Sequence, residues 1–216
     1  LFTNKQLNTY FKDSVKLKPI NKNLIDEIYQ EKISKTKPFY SLDNKIAGES
    51  YKSKINKISK ILKLNKADYL FISAPENVAW TLNIRGHDNP NSPIPNCRLI
   101  IGRNKKIFLI AKKEKTLKII KEKKLNKNQI ISSEKFLSLI NKLKGNKFII
   151  DSLSCSIHNE NIIRSRFKII NKDDPCYKLK SIKNSSEIKH MIDAHIEDGL
   201  ALTKFIFWIK NTNKKK

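Results

Sequence analysis

Asn83, Arg85, His87 and Asp88 crowd into six consecutive positions around Gly86, within a stretch running from residue 77 to residue 95. The chain's positive charge is nearly all lysine, and Arg85 is one of only five arginines. A guanidinium holds a carboxylate or a carbonyl in a planar fork that an ammonium cannot imitate, so an arginine just ahead of a glycine and an aspartate marks a position chosen for geometry. Two chemistries fit it: an Arg85–Asp88 ion pair that closes a loop, or a fork and a carboxylate set to meet a ligand. The same stretch holds Trp80 and three of the seven prolines, Pro90, Pro93 and Pro95. Its apolar cluster, Val78, Ala79 and Trp80, reads as core packing.

The other candidates for chemistry are weaker. His190 and His195 are five residues apart and diverge on a helix, without a His-Glu-x-x-His pattern; His190 reads as a surface residue and His195 as one at the edge of the core. The five glycines stand isolated, so no phosphate-cradling loop exists. Ser152, Ser154, Cys155 and Ser156 follow a strand ending at Asp151 but lack a Gly-x-Ser-x-Gly elbow. The acidic pairs Asp173–Asp174 and Glu197–Asp198 have no further oxygen ligands nearby and read as an interdomain turn and a helix surface. Taken by themselves, the residues compose no active site.

Composition narrows the classes. A chain of 216 residues buries enough surface for one to one and a half domains without metals or disulfides. Cys97, Cys155 and Cys176 are odd in number and far apart, which fits a reducing, cytoplasmic setting better than a disulfide framework or a zinc knuckle. No apolar run reaches the ~20 residues that span a bilayer, so no membrane partner is expected. The N-terminus has no signal-peptide pattern. It begins at Leu1, which reads as the start of a fragment. The net charge of +25 invites a nucleic-acid reading through counterion release. Lysine is spread over the whole length, however, without clustered arginines or interleaved aromatics, so nucleic acid is not the expected partner.

The elements that must position these residues follow from periodicity. Ile55, Ile58, Ile61 and Leu62 form one stripe of a helix over 50–64 that Ser50 caps. A strand is expected at 69–72, a helical turn opened by Pro75, then a loop over 83–96. Strands at 98–101 and 106–110 are joined by a tight turn. Helices at 114–124, 133–143 and 159–166 alternate with strands at 129–131, 148–151 and 167–170. The pattern is an α/β domain, a mixed sheet flanked by helices, over residues 51–171. Residues 1–48, with a helical turn near 24–29, read as the end of something else plus a linker. Beyond Pro175 an extended run is expected at 178–182. A long helix then starts at Asn184, capped by an Asn184–Glu187 box. Its apolar face, with Ile188, Met191, Ile192, Leu202, Phe205, Ile206 and Ile209, finds no later residue to cover it.

Three segments carry a resemblance. The run Ala79-Trp80-Thr81-Leu82-Asn83-Ile84-Arg85-Gly86-His87-Asp88, with Pro93 and the strand at 98–101, resembles the second N-terminal domain of three-domain Xaa-Pro aminopeptidases, the cytosolic aminopeptidase P branch of the creatinase and prolidase superfamily. Pro175-Cys176, Lys180-Ser181-Ile182-Lys183-Asn184, Glu187, Met191, Ala194-His195, Asp198-Gly199, Ala201-Leu202 and the run from Phe205 to Ile209 are similar to the entry into that family's catalytic domain, where a lysine-rich strand precedes the first long helix. Gly48-Glu49-Ser50 with Lys54 and Ile55 resembles the join between the first two domains.

The resemblance implies a creatinase N-terminal-like domain at 51–171, preceded over 1–48 by the tail of a similar domain and followed over 175–216 by the first strand and helix of a truncated pita-bread domain. It also implies hydrolysis of peptides ahead of proline by two divalent cations, usually manganese, that activate a bridging water. The metal-binding aspartates, histidine and glutamates of that centre belong to a part of the family's sequence with no counterpart here. This chain is therefore expected to bind no metal and to be inactive alone. Its implied partners are proline-containing peptides, in the longer enzyme, and a second copy in a homodimer. The implied role of Asn83, Arg85 and Asp88 is to shape the loop facing the substrate cleft, with Arg85 either pairing with Asp88 or reaching across to the catalytic domain. The competing expectation is a non-catalytic basic α/β module that binds nucleic acid or an acidic partner.

Overall fold

Leu70 and Ile72 turn to one face of a central strand and Phe71 to the other, and all three are buried. This alternation with both faces apolar is what a sheet covered by helices on two sides requires. The computed structural model describes residues 2–11, 15–18, 20, 24–28 and 37–212. In chain order it contains α1 (Asn4–Tyr10), α2 (Leu24–Ile28), β1 (Tyr40–Ser41), α3 (Asn44–Ala47), α4 (Tyr51–Leu64), β2 (Tyr69–Ile72), α5 (Pro75–Leu82) and β3 (Ile84–Arg85). Then come β4 (Arg98–Gly102), β5 (Ile107–Ile110), α6 (Lys113–Lys121), β6 (Ile130–Ile131), α7 (Phe136–Lys142), β7 (Lys147–Ile150), α8 (Ile157–Arg164), β8 (Lys168–Asn171), α9 (Pro175–Ser181) and α10 (Ser185–Thr212).

The main sheet has six strands in the order β6-β5-β4-β2-β7-β8. β4 is antiparallel to both neighbours, and the other pairings are parallel. One core cluster joins Leu70, Leu99 and Ile149 of the sheet to Ile58 of α4, Val78 of α5 and Ile119 of α6. The second, on the opposite face, joins Phe71, Ile100 and Phe148 to Phe136 and Ile140 of α7 and Ile163 of α8. Each such side chain, fully buried, contributes about 1.5–3 kcal/mol of transfer free energy, so the two clusters fix the register of the sheet. The mixed sheet flanked by helices expected over 51–171 is the one observed.

Three local expectations change. Residues 84 and 85 are not loop: they pair antiparallel with Ser41 and Tyr40 as a two-stranded ribbon, because the 83–96 segment has a neighbouring backbone to saturate its polar groups. Residues 178–182 are not an extended strand. Asp174 caps and Pro175 opens α9, whose helix runs through Ser181, and a proline at the first helical position is preorganised for that start. The segment at 133–143 begins as a 3-10 turn over Ser133–Lys135 before α7. The turn expected near 24–29 is α2, and part of residues 1–48 lies outside the described residues.

Asn184 caps α10 as expected, its Oδ1 accepting from the Glu187 N–H and the Glu187 carboxylate accepting from the Asn184 N–H, both at 2.9 Å. Beyond that start the helix is exposed throughout, including its apolar residues and His195, which therefore does not edge a core. No helix among the described residues is long and apolar enough to cross a membrane.

Candidate functional site

α5 ends because Asn83 takes the left-handed conformation (φ 49°), a geometry that asparagine tolerates better than most residues. That bend places the Asn83 side chain and carbonyl where three segments meet. Its Nδ2 donates to the Glu49 carbonyl at 2.7 Å, and its carbonyl accepts from the Leu42 N–H at 2.9 Å and from Lys124 Nζ at 2.7 Å. Its Oδ1 accepts from Lys54 Nζ at 2.7 Å, and the same ammonium donates to the Trp80 carbonyl at 2.9 Å.

Lys54 itself is buried and lies 4.3 Å from the centroid of the Trp80 ring. Burial pushes its ammonium down to about 8, against the opposing fields of Glu187 and Glu49. Lys124 is likewise pushed down to about 8 by burial. Arg85 completes the cationic group. Its Nη1 donates to the carbonyls of Ile84 at 2.9 Å and Ala79 at 3.3 Å, and burial lowers its affinity for its proton. That one nitrogen thus holds the Ala79 carbonyl in the last turn of α5, where the helix dipole favours a cation, and the Ile84 carbonyl of β3.

Above this group lies a cavity of about 280 Å³. Lys54, Trp80, Asn83 and Arg85 line one side, and Glu187 and His190 from the first turns of α10 line the other. Asn83 and Arg85, singled out from sequence, therefore do share one cavity. Asp88 does not join them, and the Arg85–Asp88 pair is not formed. The carboxylate of Asp88 instead pairs with Lys115 of α6 and accepts from the Asn96 N–H at 2.6 Å. Gly86 donates its N–H to the Pro93 carbonyl, and a Cβ placed on it would lie 2.7 Å from Pro95 Cα. Gly86 closes the loop on Pro93 and Pro95 while Asp88 ties it to α6, so the spacing Arg-Gly-His-Asp encodes two separate fastenings.

Lys54 is the site residue that sequence reading passed over. Its signal was present: Lys54 lies four residues before Ile58 on the buried side of α4, a lysine on an apolar stripe. Asp174, read as part of an interdomain turn, is buried. It accepts from Asn77 Nδ2 at 2.7 Å and from the Cys176 N–H at 2.9 Å, while Lys180 Nζ donates to Asn77 Oδ1 at 2.6 Å. Burial raises its carboxyl above the usual range. This network fastens α9 to α5. All three cysteines are free and buried. Among the described residues, no three His, Cys, Asp or Glu side chains gather to hold a metal ion.

The creatinase/prolidase N-terminal domain family matches residues 30–187. The chain belongs to that family. Xaa-Pro aminopeptidase 1 of Dictyostelium discoideum is 30% identical over 214 residues, spanning 91% of this chain and 32% of its own length. Xaa-Pro aminopeptidase ApepP of Drosophila melanogaster is 29% identical over 208 residues, 92% of this chain and 33% of its own. The creatinase/prolidase N-terminal fold is also seen in the X-prolyl aminopeptidase of Caenorhabditis elegans, described as a cytosolic enzyme with a di-nuclear active site. The two superpose with a TM-score of 0.75 at 22% identity, over 89% of this chain and 32% of that one. The chain thus spans about a third of the length of the relatives it matches.

Proposed function

We propose that this creatinase/prolidase N-terminal chain is part of a metal-dependent Xaa-Pro aminopeptidase, a hydrolase that removes the residue ahead of proline from a peptide's N-terminus. The observation that carries the reading is the match of two Xaa-Pro aminopeptidases to more than nine-tenths of the chain. In this proposal residues 1–48 end a first creatinase-like domain, 51–171 form a second, and 175–216 open the catalytic domain. The two metals, taken here as manganese, belong to residues outside this chain, since the side chains described here do not fit a dinuclear centre. No step through them is assigned to these residues. We place the enzyme in the cytosol as a homodimer.

The role proposed for this part is to wall the approach to that centre. Arg85 and Lys54 give the cavity a cationic lining, which attracts carboxylates and carbonyl oxygens. Asn83 holds the wall's position by linking Lys54, Glu49, Leu42 and Lys124. Asp88 contributes by holding the loop through Lys115.

The test uses a longer protein that contains this chain, assayed on Xaa-Pro peptides with manganese. Hydrolysis by that protein, with none by residues 1–216 alone, is the expected result. Hydrolysis by residues 1–216 alone overturns the placement of the metals, and none from the longer protein overturns the peptidase reading. An Arg85→Ala variant with unchanged kcat/KM removes the cleft role. Salt-sensitive retention of the chain on nucleic acid, without hydrolysis by the longer protein, favours the binding module instead.

A further inference from the structure

A second cavity, of about 210 Å³, opens on the opposite face of the sheet, where β5 ends and β4 begins. Phe71, Ile110 and Phe136 make its apolar walls, and its polar lining comes from Arg98, Ser133, Ser156, His158 and Asn159. These side chains arrive from the start of β4, the turn before α7 and the first turn of α8. They sit at the carboxyl end of parallel β2 and β7, the end of an open α/β sheet at which ligands commonly bind.

What distinguishes this cavity is that, Ser156 apart, its polar side chains have no protein partners. Among the described residues, the side chains of Arg98, Ser133, His158 and Asn159 make no hydrogen bond or ion pair. Asn159 is only 7% exposed, yet its amide is not sealed from solvent, since the buried side-chain atoms without a partner among the described residues are Ser41 Oγ and Trp80 Nε1. Arg98 is half-buried, and a guanidinium in that position ordinarily finds a carboxylate. The nearby acids are engaged elsewhere. Asp151 accepts from the Leu153 N–H and the Ser154 hydroxyl, and Glu160 pairs with Arg164. The end of α8 adds little backbone capacity, since the Ile157 N–H goes to the Phe2 carbonyl and the Asn159 N–H to Ser156 Oγ. Recognition would rest on the side chains.

We infer that this cavity binds a small oxyanion, a phosphate or carboxylate group of a small molecule, with Arg98 as the charged fork, Asn159 as the buried donor and Ser133 and His158 at the rim. One cation, one amide, one hydroxyl and one imidazole supply donors to several oxygens of one group, and the apolar walls leave room for a short carbon skeleton. The site is separate from the cationic cavity around Arg85, which lies on the other side of the sheet.

The test titrates the isotopically labelled full chain with inorganic phosphate, and separately with succinate, with ionic strength held constant by sodium chloride. Saturable shifts of the His158 and Asn159 amide resonances are expected from one of the two anions, together with binding at least tenfold weaker in Arg98→Gln. Saturation by phosphate alone identifies a phosphate ligand, and by succinate alone a carboxylate. Asn159→Asp, which puts a negative charge in the cavity while leaving β4 intact, is the second variant and is expected to abolish the saturable shifts. Circular dichroism establishes that each variant is folded. Shifts that never saturate and spread over the lysine-rich surface, or saturation unchanged in either folded variant, overturn the inference.

Discussion

Asn184 reaches back to the carbonyl of Ala47, its Nδ2 donating at 2.9 Å while its Oδ1 caps α10. Positions 137 residues apart in the chain are thereby joined at the entrance to the long helix. The space the Asn184 side chain fills is the space a Cβ at Gly48 would need, and Gly48 has a left-handed φ of 69°.

Gly48→Ala therefore strains the backbone and displaces the capping side chain together. The expected loss is about 2 kcal/mol, part from the left-handed alanine and part from the cap. Asn184→Ala removes the cap and the Ala47 bond alone and is expected to cost about 1 kcal/mol. Urea denaturation midpoints at an unchanged slope would check both, and a Gly48→Ala midpoint equal to the parent's would contradict the packing described.

The buried Lys54 ammonium gives a pH signature. Its folded value, lowered to about 8, lies below the 10.5 of a free lysine. Between those values the unfolded chain binds a proton that the folded chain does not, so the Lys54 contribution rises with pH across that window. Below pH 8 the cost of the buried charge is present in full. The shift corresponds to a contribution on the order of 3 kcal/mol. Burial raises the Cys97 and Cys155 thiols above 9.0, which makes stability fall with pH over part of the same range. The readout is thus the difference between the parent chain and Lys54→Met, in which the thiols cancel. The parent should gain on the variant between pH 7.5 and pH 10, and a flat difference would rule the effect out.

Asp88→Asn should free the loop without unfolding the domain. Asp88 and Lys115 are 15% and 14% exposed at their side chains, so their pairing is only partly screened. An asparagine can still accept from the Asn96 N–H, which limits the loss to about 1 kcal/mol. Hydrogen exchange should speed up at residues 86–97 and stay unchanged in β2 and β4. Protection lost evenly across the sheet would show that the ion pair supports the whole fold.

Asn77→Ala strikes the network beneath α9. It deprives buried Asp174 of one donor and Lys180 of its acceptor, leaving a buried carboxyl short of partners. A loss of about 3 kcal/mol is expected. Asp174→Asn keeps an acceptor for the Cys176 N–H and should cost less. Equal midpoints for the two variants would show that Asn77 matters only as packing volume.

Strands β2, β4, β5 and β7 were legible in the sequence because Leu70–Ile72, Leu99–Ile101, Ile107–Ile110 and Phe148–Ile150 are continuous apolar runs that only a doubly covered sheet explains. The Ser50 and Asn184 caps were legible because capping chemistry is local. Long-range pairing was not. Nothing near Asp88 announces Lys115, 27 residues away, because a lysine-rich chain offers many equivalent cations. The 178–182 strand failed for a related reason: alternating lysines look extended, but the Asp174–Pro175 start favours a helix and buried Cys176 anchors it. Within the cavity, Arg85 and Asn83 stood out by residue type, whereas Lys54 was hidden by its abundance.

The chain's two tryptophans sit in opposite surroundings, Trp80 beneath a buried ammonium and Trp208 61% exposed on α10. Their fluorescence is consequently a built-in pair of gauges. The Trp208 emission should be red-shifted and readily quenched by small solutes, while the Trp80 emission should be shielded and change as Lys54 loses its proton. A spectrum taken with and without iodide would then separate events at the cationic cavity from events along the long helix, with no label attached.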